Sequence, residues 1–400
     1  MILLTPGPTP VPQRVLDAMH RQPIPHRSAA FEGLLAECCR SLSRLFGTTG
    51  PVPTLAGSGT TAMEAAIWSL APTTGSIIAC HSGKFGARWA VCARRVADVR
   101  GVTLREVTAP WGEPIAPDRL AEAIRSTPDV RLIIVVHCET STATVSDAAG
   151  LSAIVHELAP DASIVMDGVT TVGALSARMD EWGIDAVGCA SQKALGLPPG
   201  LGFVALSERA VRALGAPGDA VGPASRRTVN DVPLSLDLAH ALAALERGRT
   251  PFTPPINLIF GLREALALLD EDGLAVRQSR CAALAAAVRE AVRAAGLALP
   301  SRSPSDSVTA IEFPDALADP LRAWCAAERG VLLAGGQAEW AGRVVRMSHM
   351  GFVEEAETRA GVGAILAALE ALAPGRCDTR SGAAALDAAL GAGSVHGAPR

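Results

Sequence analysis

The chain reads as an α/β protein: a mainly parallel, twisted sheet with helices on both faces, followed by a smaller α+β unit. Three observations predict this. Between about residues 60 and 206, short β-rich runs alternate with helix-length stretches. Two of those runs, LIIVVH (132–137) and SIVMDG (163–168), are nearly continuous apolar segments ending in polar residues, the pattern of strands buried on both faces. After TPFTPPIN (250–257) the pattern changes to long Ala/Leu-rich helices and short strands.

Each element follows in order. IIACH (77–81) precedes a helix at 85–99, VTLREV (102–107) one at 117–127, LIIVVH one at 147–159, and SIVMDG leads to DAVGCA and GFVAL. Helices are then expected at 257–271 and 275–296, strands near 306–313, 330–334 and 343–347, and a last helix near 353–372. The division is an N-terminal segment at 1–20, a large unit at 21–255 and a small one at 256–373. From Pro374 the composition falls to Gly, Ala and Ser, so 374–400 is expected to be a disordered tail. The turn-rich stretch 215–235, with Gly215, Pro217, Gly218, Gly222, Pro223 and Pro233, reads as a long functional loop. Ligands of such sheets sit outside the carboxyl ends of the strands, which here deliver His137, Glu139 and Asp167.

Composition narrows the partners. Thirty-six basic against 40 acidic residues, net charge −4 and no basic run leave no electrostatic reason to expect nucleic acid or an anionic membrane. No apolar stretch reaches the ~18 residues of a spanning helix, and the N-terminus MILLTPGPTP lacks a basic n-region. Nine cysteines, an odd number without a CxxC pair, read as reduced thiols rather than disulfides or a zinc site, and no metal site is expected. The expectation is a soluble cytoplasmic protein whose partners are small molecules or another protein chain.

The segment richest in chemistry is SQKALGLPPG (191–200), between a β-run and GFVAL. Lys84 and Lys193 are the only lysines, because Arg supplies nearly all the positive charge, so solubility does not explain a Lys in an apolar, Gly/Pro-rich turn. A desolvated lysine amine can form a Schiff base, whereas a guanidinium stays protonated. Asp167 stands 26 residues earlier, at the end of SIVMD. Alone it would be an ordinary turn or cap residue. Together the two match what pyridoxal phosphate requires, a lysine on the aldehyde and a carboxylate on the pyridinium nitrogen. AGSGTTAME (56–64) adds a turn whose glycines, hydroxyls and following helix can close on a phosphate, although a plain helix cap reads the same way. It is neither a Walker A loop nor GxGxxG.

At this point the sequence resembles the class V, fold type I pyridoxal-phosphate aminotransferases, especially the alanine:glyoxylate / serine:pyruvate branch. The resemblance is carried by LLTPGPTPVP (3–12), HRSAAF (26–31), AGSGTTAMEAA (56–66), GKFGARW (83–89), HCETSTA (137–143), MDGVTTVGA (166–174), SQKALGLPPGLGFVALS (191–207), TPFTPP (250–255) and RVVRMSHMG (343–351), and covers about residues 1–372. It implies that Lys193 holds the cofactor and moves the substrate proton, and that Asp167 pairs with the ring nitrogen. Ser58, Gly59 and Thr60 would bind the phosphate with help from Gln192, Thr142 or Thr140 would face the ring hydroxyl, and Phe85 would stack on the ring. Thr253 would reach the phosphate of a neighbouring subunit, making the active site the product of a homodimer. Thr250 stands where many relatives carry a tyrosine on that phosphate, a residue type this chain lacks altogether. Arg346 would bind the substrate carboxylate, with Pro6 and Gly7 lining the mouth.

The activity implied is transfer of an amino group from alanine or serine to glyoxylate or pyruvate. Two alternatives share the scaffold: transamination of 2-aminoethylphosphonate or ureidoglycine, and lyase chemistry as in cysteine desulfurases. The desulfurases typically carry His before the lysine, where this chain has Gln192. A nicotinamide-dependent oxidoreductase would leave Lys193 and Asp167 without a role, and AGSGTT lacks the third glycine such a site needs.

Overall fold

Seven strands form the central sheet of the computed structural model, which describes residues 1–215 and 231–392. They are β1 (Thr54–Gly57), β2 (Ser76–His81), β3 (Thr103–Thr108), β4 (Val130–Val136), β5 (Ser163–Asp167), β6 (Ala186–Ala190) and β7 (Gly200–Leu206). Their spatial order is β1-β7-β6-β5-β4-β2-β3. β7 runs antiparallel to β1 and β6, and all other pairs are parallel, as the alternating pattern requires. Consequently β1, β2, β4, β5 and β6 all end on one edge.

The apolar runs serve both faces because successive side chains point to opposite sides of a strand. In β4, Leu132, Ile134 and Val136 enter one core and Ile133 and Val135 the other; in β2, Ile77 and Ala79 oppose Ile78 and Cys80. Helices cover both faces, among them α1 (Ala29–Phe46), α2 (Gly59–Leu70), α3 (Lys84–Arg100) and α4 (Ile256–Asp272). α2 and α3 pack on the core that holds Leu132, and α1 and α4 on the other.

That placement of α4 differs from the sequence pattern, which puts it in the small unit. Its buried stripe of Ile259, Leu262, Ala265, Leu266 and Leu269 belongs to the large core. The change of unit comes at Gly273, whose φ of 81° reverses the chain into α5 (Leu274–Ala294). The small unit packs α5, α6 (Ala318–Arg329) and α7 (Glu355–Leu372) around an antiparallel sheet of Val308–Glu312, Val344–Ser348 and Ala334–Gly335. The chain's first strand, Ile2–Leu3, pairs in parallel with Val331–Leu332 of this unit.

The expected disordered tail is a correction. Residues Thr379–Ala392 form a helix, α8, packed on α5 and α7 with Leu386 and Leu390 buried. Alanine is the best helix former, so the Ala-rich composition supports the helix it was taken to argue against. Gly382 permits the approach: a Cβ there would lie 3.0 Å from the Ala295 Cβ and 3.1 Å from the Ala291 carbonyl. Most of the turn-rich stretch, 216–230, lies outside the described residues, as does 393–400.

Candidate active site

Lys193 sits in the turn that leaves β6. Ser191 is buried and locks this turn, its hydroxyl donating to the Pro198 carbonyl (2.8 Å) and accepting from the Leu201 amide (3.2 Å). The Lys193 Nζ donates to the Pro6 carbonyl at 2.6 Å, and Thr9 Oγ1 donates to the Lys193 carbonyl at 2.7 Å. The N-terminal segment therefore closes over the lysine, held in place by the pairing of Ile2–Leu3. Gly7 makes this approach possible: a Cβ would lie 2.2 Å from Nζ, and its φ of 131° is one that side chains rarely adopt.

Burial pushes the Lys193 amine down to about 8, Asp167 working against the shift and Arg346 with it. The neutral, nucleophilic fraction therefore rises as pH passes through about 8 rather than through the ordinary lysine range. In the cofactor-free protein, carbamylation of Lys193 by cyanate, read by peptide mass spectrometry, is expected to accelerate with an inflection near pH 8. An inflection near that of a free lysine would contradict the buried placement.

Asp167 ends β5 and is buried. Its Oδ1 accepts from the Val169 amide (2.8 Å) and its Oδ2 from the Trp89 indole (2.7 Å). Burial raises its carboxyl to about 6, and those two donors hold it from rising further. Trp89 went unnoticed in the sequence because an indole in a helix reads as core packing; its pairing with Asp167 spans 78 positions.

The turn after β1 starts α2. Ser58 is the cap, with Oγ accepting from the Thr60 amide, while Thr61 Oγ1 accepts from the Ser58 amide. The amides at this helix end and its positive dipole suit an anion. Ser58, Gly59, Thr60, Phe85, Gln192 and Lys193 line one cleft together with Thr140 and Asp167. The buried Gln192 Oε1 finds no hydrogen-bond partner among the described residues. An amine, a carboxylate, a helix N-terminus and an unanswered polar atom in one cleft fit a group that carries an aldehyde, a ring nitrogen and a phosphate.

The remaining residues divide. Thr140 faces the cleft and shares a 2.9 Å hydrogen bond with Thr170, another lining residue, whereas Thr142 is fully buried outside it and bonds the Glu139 carbonyl. Of the two threonines left open by the sequence, the structure thus favours Thr140. Arg346 is buried beside the cleft, its Nη1 donating to the Thr140 carbonyl (3.0 Å) and its Nε to the Gly335 carbonyl (2.9 Å). Thr250 and Thr253 do not line the cleft; Thr250 Oγ1 donates to the Phe252 carbonyl and Thr253 is exposed. Of the other strand-end residues, Glu139 accepts from the Phe85 and Gly86 amides and so anchors the start of α3, while His137 packs against Trp182.

No helix among the described residues is long and apolar enough to cross a membrane. The sequence profile described as Aminotransferase class-V matches residues 1–357. Among similar proteins, the "Soluble hydrogenase, small subunit" of a Synechococcus strain is 35% identical over 93% of each chain. The serine–glyoxylate aminotransferase of Methylorubrum extorquens is 33% identical over 88% of this chain and 87% of its own. Among solved structures, pyridoxamine-pyruvate aminotransferase from Mesorhizobium loti superposes with a TM-score of 0.87 at 26% identity over 98% of each chain. Alanine–glyoxylate aminotransferase from Nostoc does so with 0.83 at 29% identity over 92% of this chain and 95% of that one. The fold is that of the fold type I transferases, the cofactor is pyridoxal phosphate, and the chain belongs to the class V aminotransferase family.

Proposed function

We propose that this transaminase moves the amino group of serine or alanine to glyoxylate, with pyruvate as a further acceptor, in a ping-pong cycle. The observation that carries the reading is the buried Lys193 amine, held against the Pro6 carbonyl in the cleft that also contains Asp167. When bound, pyridoxal phosphate supplies an aldehyde that takes up the amine and a ring that accepts the electrons left when the α-carbon loses its proton. Lys193 would hold the cofactor, and its amine, once released from it, would take and return that proton. Asp167 keeps the ring nitrogen protonated. Ser58, Gly59, Thr60 and Gln192 would receive the phosphate, Phe85 would lie against the ring and Thr140 would meet the ring hydroxyl.

Arg346 receives the substrate carboxylate. Its Nε and one Nη1 bond are committed to carbonyls, which orients the fork and leaves Nη2 free to donate. Serine and glyoxylate occur in the name of the Methylorubrum relative, and alanine and glyoxylate in that of the Nostoc structure. Glyoxylate is common to both, which supports it as acceptor; hydrogenase in the Synechococcus name is not adopted. We further propose a cytoplasmic homodimer, in which the exposed Thr253 serves the neighbouring subunit's phosphate.

Incubation with serine or alanine and glyoxylate, with glycine and the 2-oxo acid product quantified, tests the reading. Parallel double-reciprocal lines and glycine equal to the oxo acid are expected; no glycine from either donor would overturn it. Arg346→Ala is expected to raise KM for serine and glyoxylate by about 10²-fold, the loss of a charge-assisted pair. An unchanged KM for both would remove Arg346 from substrate binding.

A further inference from the structure

The cofactor phosphate carries close to two negative charges at neutral pH. Yet Ser58, Gly59, Thr60 and Gln192 are all neutral. Lys193 is committed to the aldehyde, the chain has no tyrosine, and the Thr250 hydroxyl is taken by the Phe252 carbonyl. One cation stands at the helix end that receives the phosphate. Arg88, one turn into α3, lines the same cleft and donates from Nη1 to Thr60 Oγ1 at 3.1 Å. Its guanidinium lies over the Phe85 ring, 4.9 Å from the centroid, which positions it beside the cradle. Among the described residues no carboxylate forms an ion pair with it, whereas Arg94, Arg100, Arg209 and Arg249 each pair with an acid.

Resting on the functional reading above, we propose that Arg88 is a phosphate ligand of the cofactor, supplying from within the subunit the contact that relatives draw from a tyrosine at the position of Thr250. The guanidinium keeps its bond to Thr60 and turns its remaining N–H groups to the phosphate oxygens, giving an ion pair where a phenol offers only a neutral donor. Phe85 then acts twice, as a face for the cofactor ring and as the shelf that holds Arg88.

The test compares pyridoxal phosphate with pyridoxal, which has the same ring and aldehyde but no phosphate. Both are titrated into the cofactor-free wild type, R88Q and R88K, following tryptophan fluorescence and the absorption band of the lysine adduct. R88Q is expected to raise Kd for pyridoxal phosphate about tenfold or more and to leave Kd for pyridoxal within about twofold, with R88K in between. Because Arg88 is exposed, the variants should fold, and matching thermal unfolding of the cofactor-free proteins checks that they do. An equal loss for both ligands would show that Arg88 acts by steadying Phe85, and an unchanged Kd that it has no part in binding; either overturns the proposal. Failure of the wild type to form any lysine adduct would instead sink the functional reading, and this inference with it.

Discussion

Lys193→Ala is expected to lower transamination by about 10⁴-fold or more, since it removes both the cofactor's covalent anchor and the group that moves the substrate proton. The second role is distinguishable from the first. Added methylamine can stand in for the missing amine as a proton carrier, so partial rescue whose extent rises with the concentration of free amine is expected. A variant retaining a tenth of the wild-type rate would show that the proton moves elsewhere. With Lys84 the only other lysine, at the exposed start of α3, no second amine is placed to substitute.

Asp167→Asn has the next largest expected effect. The amide keeps the size of the carboxyl and its acceptor oxygen can still face either Trp89 or the Val169 amide, so the fold should be intact. What it loses is the negative charge that holds a proton on the ring nitrogen, an electrostatic contribution expected to cost about 10²–10³-fold in kcat. The yellow adduct should still form. In the cofactor-free wild type the carboxyl titrates near 6, so below that pH the site loses its anion before the ring binds. Cofactor affinity of the wild type is therefore expected to fall as pH drops through about 6, and that dependence should vanish in Asp167→Asn; its persistence would assign it to another group.

What the sequence made legible follows from local physics. LIIVVH and SIVMD announce buried strands because nearly all their side chains before the polar end are apolar and both faces must be covered, and the structure places them side by side as β4 and β5. Lys193 stood out because the chain otherwise avoids lysine. The features that escaped depend on contacts between distant segments. Trp89 on Asp167 and Arg88 on Thr60 are made when α3 packs beside the sheet edge, and no periodicity in GKFGARW encodes them. α4 was assigned to the wrong unit because an Ala/Leu-rich helix does not state which core it will join. The helix at 379–392 was hidden by composition: a Gly/Ala segment looks unable to bury much surface, yet Gly382 and Ala295 allow two helices to close on each other.

Exchange of amino groups between a small amino acid and a cofactor held by Lys193 is visible in the absorption spectrum of the pyridoxal-phosphate-loaded protein while serine, alanine and 2-aminoethylphosphonate are added singly, with no acceptor present. Serine or alanine should convert the yellow band to that of the pyridoxamine form, and glyoxylate should then restore it. Conversion by 2-aminoethylphosphonate alone would contradict the proposed donor, and a yellow band that none of the three discharges would contradict the half-reaction on which the whole reading rests.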